Sequence, residues 1–67
     1  MQDIEKKYRG YVYILGRDDY ADDPTRPFNS YVYKDGELLD GGGDFETMEE
    51  AEDMAKSTID GYMEALK

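Results

Sequence analysis

The sequence predicts an α+β domain in which a three-stranded antiparallel sheet packs on one C-terminal helix, in the order β-β-β-α. Three observations carry this expectation. Two short runs rich in aromatic and β-branched residues surround a repeated tripeptide, Tyr11-Val12-Tyr13 and Tyr31-Val32-Tyr33. An Asp35-Gly36 pair joins the second run to a third alternating segment. After Thr47, apolar residues recur at three- and four-residue steps. The 67 residues are expected to form a single domain, 1–67. A chain of that size buries only about 60% of the surface its unfolded form exposes.

Residues 8–15 read as the first strand, closed by Gly16. Val12 and Ile14 share one face of it, while Tyr11, Tyr13 and Leu15 share the other. Residues 17–28 break the pattern with Asp18, Asp19, Asp22, Asp23, Pro24 and Pro27, and read as a long exposed acidic loop. A second strand follows over residues 29–34. Asp35-Gly36 fits a type I′ turn, whose two central residues need positive φ. That turn sets a register in which Lys34 faces Glu37, Tyr33 faces Leu38, Val32 faces Leu39 and Tyr31 faces Asp40. The Lys34–Glu37 charge pair favours it. The third strand is expected to end at Gly41-Gly42-Gly43.

Thr47 and Glu50 form a capping box: the Thr hydroxyl accepts from the amide of Glu50, and the Glu carboxylate reaches back to the amide of Thr47. Met48, Ala51, Ala55, Ile59, Tyr62 and Leu66 then make one apolar stripe, so the helix is expected over residues 48–66. Opposite them Glu49, Asp53, Asp60 and Glu64 fall in a narrow sector, spread over roughly 22 Å of helix at 1.5 Å per residue. A solvated helix face is ordinarily charged, which alone accounts for such a sector. The imbalance points further, because four mutually repelling carboxylates have only Lys56 near them.

The tyrosines define two faces without saying which is inside. If Val12, Ile14, Val32 and Leu39 meet the helix, then Tyr11, Tyr13, Tyr31 and Tyr33 line an open face with Leu38, a composition suited to protein interfaces. The reverse arrangement makes the tyrosines core, with hydroxyls at the rim. A base-stacking platform would need a positive groove, which this composition does not supply.

Charge narrows the function. The chain has 17 Asp and Glu against 8 Lys and Arg, no His and no Cys, and a formal net charge of −9. Seven Tyr and two Phe set it apart from a disordered acidic tail. Such a charge repels nucleic acid and anionic membranes, and attracts cationic protein surfaces. Without Cys there is no disulfide or thiolate zinc site. No window approaches the roughly 20 apolar residues of a membrane span, and a cytoplasmic setting is expected. No residue type present titrates unperturbed near neutrality, so the expectation is a protein that is not an enzyme and carries no cofactor. The glycine run lacks the Lys and Ser/Thr of a phosphate-binding loop.

In size, charge and the absence of Cys and His, the whole chain resembles the small acidic anti-CRISPR proteins of phages, particularly those that mimic the charge of DNA. The stretch from Tyr31 through Phe45-Glu46-Thr47-Met48-Glu49-Glu50-Ala51 to Lys67 is also similar to the strand-strand-helix unit of HicB-type antitoxins, without their appended DNA-binding domain. The first resemblance implies a monomeric inhibitor in the host cytoplasm, bound to the basic nucleic-acid-binding surface of a CRISPR effector subunit. Its expected contacts are Asp18, Asp19, Asp22 and Asp23 with Tyr20 on the loop, and Glu49, Asp53, Asp60 and Glu64 on the helix. The alternative is an antitoxin-like or adaptor module that binds one protein through Tyr11, Tyr13, Tyr31 and Tyr33.

The loop acids lack the alternating ligands, central Gly and distant Glu of a calcium-binding EF-hand loop, so no metal site is expected. Thermal midpoints measured with and without calcium at constant ionic strength should coincide; a large calcium-dependent rise would contradict this reading.

Overall fold

The computed structural model describes residues 3–18 and 23–66. The element order is β1 (Ile4–Tyr8), β2 (Tyr11–Arg17), β3 (Phe28–Lys34), β4 (Glu37–Phe45) and α1 (Met48–Ala65). The four strands form one antiparallel sheet in the order β1-β2-β3-β4. The α+β class and the C-terminal helix are as expected from sequence, but the sheet has four strands rather than three. The expected first strand is divided by a two-residue turn, in which Arg9 and Gly10 take φ 54° and 85°. This is the same geometry that Asp35 (φ 52°) and Gly36 (φ 81°) adopt in the second hairpin. Arg9 is an unusual residue for that position, and Lys6 breaks the apolar alternation of β1. Lys6 pairs with Tyr13 and therefore shares the helix-facing side of the sheet. There its ammonium meets Glu52 Oε2 at 2.8 Å.

The β2–β3 register decides which residues are core. Tyr13 pairs with Val32, Ile14 with Tyr31 and Val12 with Tyr33. Directly opposed residues share a face, so the two Tyr-Val-Tyr repeats are out of phase. The first turns its tyrosines inward, and the second turns its valine inward. Tyr11, Tyr13, Leu15 and Val32 are buried with Ala51, Ala55 and Ile59 of α1, ringed by half-buried Tyr8, Phe28, Leu39, Phe45, Met48, Tyr62 and Met63. Neither of the two arrangements left open by the sequence holds throughout: Val32 points inward as in the first arrangement, whereas Val12 and Ile14 face away from the helix and Tyr11 and Tyr13 leave the open face. Their rings gain core contacts there, with Tyr11 stacked on Tyr62 at a centroid distance of 6.2 Å.

The β3–β4 register begins as predicted, with Lys34 opposite Glu37 and Tyr33 opposite Leu38. A bulge at Leu39 then slips it by one residue, so that Val32 faces Asp40, Tyr31 faces Gly41 and Ser30 faces Gly42. The strand does not stop at the glycines but runs through them. At Gly41 the reason is direct: a Cβ there would lie 2.8 Å from Tyr31 Cδ1, because the tyrosine ring covers the bare backbone. A second irregularity, with Asp44 at φ 64°, precedes the pairing of Phe45 with Phe28.

Thr47 caps α1 by accepting from Glu50 N at 3.1 Å. Glu50 reaches back to the amide of Glu46 at 3.1 Å, one residue before the expected Thr47. Leu66, expected in the apolar stripe, is the C-cap and is 77% exposed. Among the described residues no helix is long and apolar enough to cross a membrane.

Ile59 is fully enclosed, and Ile59→Ala should cost about 2–5 kcal/mol, a large part of the stability of so small a domain; urea denaturation measures it. Gly61 lies inside α1 with nothing within 4 Å of an added Cβ, so Gly61→Ala should raise stability by about 0.5–1 kcal/mol in the same experiment.

Candidate functional site

Strand pairing brings the loop and the start of the helix to one end of the molecule. Arg17 ends β2 opposite Phe28, and Phe28 pairs with Phe45 at the end of β4, immediately before α1. The loop is closed at its base by a hydrogen bond from Asp18 N to Pro27 O at 2.8 Å. Arg26 Nη2 then reaches Glu46 Oε1 at 3.2 Å, linking the loop to the approach of the helix. Asp18, Asp23, Asp44, Glu46, Glu49 and Glu50 therefore gather at one pole, with Asp53 one helical turn further along. Arg17 and Arg26 are the basic residues at that end among the described residues.

Local structure holds several of these acids in place. Asp23 Oδ1 accepts from Thr25 N at 3.0 Å and from Thr25 Oγ1 at 2.6 Å, an Asx turn closed by Arg26 N donating to Asp23 O. The Thr25 bonds hold the Asp23 carboxyl below its ordinary pKa, so it is charged at neutral pH. Glu49 and Glu50 lie in the first turn of α1, where the helix dipole favours negative charge. Glu49 and Asp53 are exposed and make no hydrogen bond or ion pair within the described residues. Asp19, Tyr20 and Asp22, also named from sequence, lie outside the described residues.

The other two helix acids sit elsewhere and do different work. Asp60 is at the hairpin end, where Oδ1 accepts from Arg9 Nη1 at 2.7 Å and from Tyr8 Oη at 3.0 Å. Those bonds lower its pKa, and the hydrogen bond to Asp60 raises that of Tyr8. Glu64 is exposed near the same end. Lys6, Lys7, Arg9, Lys34 and Lys56 also belong to the half of the molecule away from the loop or to its middle, with Lys34 Nζ 4.6 Å from the Tyr11 ring centroid and Lys56 Nζ 5.8 Å from that of Tyr8. Charge is thus polarised along the strands, strongly acidic at the loop end and mixed at the hairpin end. The sequence grouped Asp60 and Glu64 with Glu49 and Asp53 by helical angle, and passed over Asp44, Glu46 and Glu50, whose grouping needed the strand register.

Of the four tyrosines named for an open face, Tyr31 and Tyr33 remain on it, with Val12, Ile14 and Leu38. Tyr31 is 39% and Leu38 54% exposed. Tyr13 instead donates to Glu52 Oε2 at 2.6 Å, tying β2 to the helix beside Lys6. Among the described residues no group of three or more acidic side chains is placed to hold a metal ion. Comparison with protein families, curated proteins and solved structures finds no match to this chain.

Burial and the bond to Glu52 push the Tyr13 phenol up to about 12 from an ordinary 10.0. A raised pKa gives stability that is complete below the ordinary value and is lost as pH rises through about 12. Ultraviolet titration should show a phenol ionising at about 12 that disappears in Tyr13→Phe, and that variant should lose about 1.5 kcal/mol at neutral pH. Glu52 and Asp60, both lowered, act in the opposite direction: their contribution is complete above the ordinary carboxylate range and lost as pH falls through their depressed values.

Proposed function

We propose that this chain is a non-enzymatic inhibitor of the anti-CRISPR kind, a monomer that seats its acidic pole on the basic nucleic-acid-binding surface of a CRISPR effector subunit. The observation that carries the reading is the gathering of loop and helix carboxylates at one end of a molecule of net charge −9. A surface built to hold phosphates presents Arg and Lys, which would meet Asp18, Asp23, Asp44, Glu49 and Asp53 in place of the DNA backbone. Polarity along the long axis also orients the approach, since the acidic end leads. The exposed Glu49 and Asp53 have no partner among the described residues, so binding breaks no ion pair seen there.

A second reading is favoured by the partly exposed Tyr31 and Leu38. In it, the sheet face opposite the helix binds one protein through Tyr31, Tyr33 and Leu38, as an adaptor or antitoxin-like module would. Aromatic side chains of this kind anchor interfaces, whereas carboxylates give steering more than affinity.

Association rate against salt separates the two, using the partner recovered by pull-down from host cells. Charge mimicry requires a steep loss of rate as salt is raised, because attraction is screened over about 8 Å at physiological ionic strength. It also requires that Asp18→Asn, Asp23→Asn, Asp44→Asn and Glu49→Gln together slow association at least tenfold, while Glu37→Gln with Glu64→Gln has little effect. Salt-insensitive binding that survives the acidic substitutions and disappears with Tyr31→Ser and Tyr33→Ser would replace this reading with the aromatic face.

A further inference from the structure

The helix-facing side of the sheet has one gap. Where β3 pairs with β4, the inward cross-strand pair is Ser30 with Gly42, which together contribute a single hydroxyl. The Phe45 ring comes within 3.6 Å of where a Gly42 Cβ would lie, and the rest of the space between that pair and the helix stays open. A cleft of about 320 Å³ results, lined by Ser30, Val32, Gly42, Phe45, Met54 and Thr58, with Asp40 at its edge. It continues along the seam between β4 and α1, past Asp40 and Thr58 to Gly61, Tyr62 and Ala65. Among the described residues, no Lys or Arg lines either part.

Ser30 marks the cleft as more than a packing defect. It is 3% exposed, and its hydroxyl has no hydrogen-bond partner among the described residues. No fully enclosed side-chain nitrogen or oxygen there lacks a partner, so this hydroxyl reaches open space, which the cleft supplies. At the mouth, the exposed Asp40 uses Oδ1 to accept from Gly41 N at 2.8 Å and keeps its second oxygen available.

We propose that this cleft receives a lysine or arginine side chain of the protein partner. Such a side chain has an aliphatic stem to lie on Val32, Phe45 and Met54, and a cationic head with donors for the Asp40 carboxylate and the Ser30 hydroxyl. The Phe45 ring adds a favourable face for the cation. A purely apolar side chain would seal the Ser30 hydroxyl without a partner, which is costly. An acidic one would be repelled by Asp40. The assignment rests on the reading of the protein as a binder of basic surfaces, and names one side chain that such a surface inserts.

The test is an NMR titration of the whole protein with n-butylguanidinium and n-butylammonium chloride, against butyrate and n-butanol, at constant ionic strength. Saturable shifts of the Gly42 and Gly43 amides and of the Val32 and Met54 methyls are expected with the two cations. A Cβ at Gly42 would meet only the Phe45 ring, at 3.6 and 3.7 Å, so Gly42→Leu is compatible with the backbone and should abolish those shifts by filling the cleft. Asp40→Asn keeps the shape and should weaken both cations at least fivefold without changing butanol, which covers the case in which Gly42→Leu fails to fold. Equal binding of butanol or butyrate, or cation shifts that survive both variants, would overturn the assignment. Cation shifts confined to the loop pole would also remove it while leaving the acidic-pole function standing. Cleft shifts that follow the expected pattern, alongside salt-insensitive partner association, would keep the cleft and remove that function.

Discussion

The packing of the small residues of α1 on the inner faces of β2 and β3 is what the rest of the structure depends on. Ala51 and Ala55 offer no bulk, so the helix lies close over the sheet, and Tyr11 and Tyr13 supply the volume that larger aliphatic residues supply in other cores. Because a tyrosine must place its hydroxyl, this packing also dictates polar chemistry at the rim. Tyr13 reaches Glu52, and Glu52 is then held by Lys6 of β1. The edge strand is therefore tied to the helix mainly by polar contacts, Lys6–Glu52 and Tyr8–Asp60 with Arg9–Asp60 from the adjoining turn, while the half-buried Tyr8 ring packs against the core. Such half-exposed pairs are worth little individually. Their value is in fixing where β1 lies, and they spend two helix carboxylates inside the fold.

That expenditure shapes what remains for a partner. With Asp60 and Glu52 engaged, the acids left facing solvent on α1 are concentrated toward its beginning, where Glu49 and Asp53 join the residues around the loop. The same helix end carries the favourable dipole potential that tolerates crowded carboxylates. An acidic pole can thus persist in a small domain without the full cost of mutual repulsion. The hairpin end, with Arg9, Lys34 and Lys7 among its acids, is closer to neutral.

The glycine run in β4 links fold and surface. Gly41 accepts the Tyr31 ring on one side of the sheet, while Gly42 opposite Ser30 leaves the other side hollow beneath Met54 and Thr58. Three consecutive residues without side chains are read locally as a break, because glycine weakens a strand. Here the strand continues because both flanks are paired, Leu38 with Tyr33 and Phe45 with Phe28, and because an aromatic ring covers the exposed backbone.

Local signals in the sequence determined the second hairpin, the cap and extent of the helix, the α+β class and the excess of negative charge. Asp35-Gly36, Thr47 with Glu50 and the Ala51-Ala55-Ile59 spacing each act within a few residues and need no distant partner. The tertiary structure alone decided the rest. β1 was hidden because its inward Lys6 makes sense only beside Glu52, and its turn uses Arg9 at positive φ. The two identical Tyr-Val-Tyr segments point opposite ways because register across a loop is set by pairing, and a one-residue change of phase exchanges the two faces. The acidic pole and the Ser30–Gly42 cleft likewise join residues far apart in the chain, and only the closing of β4 against β3 brings them together.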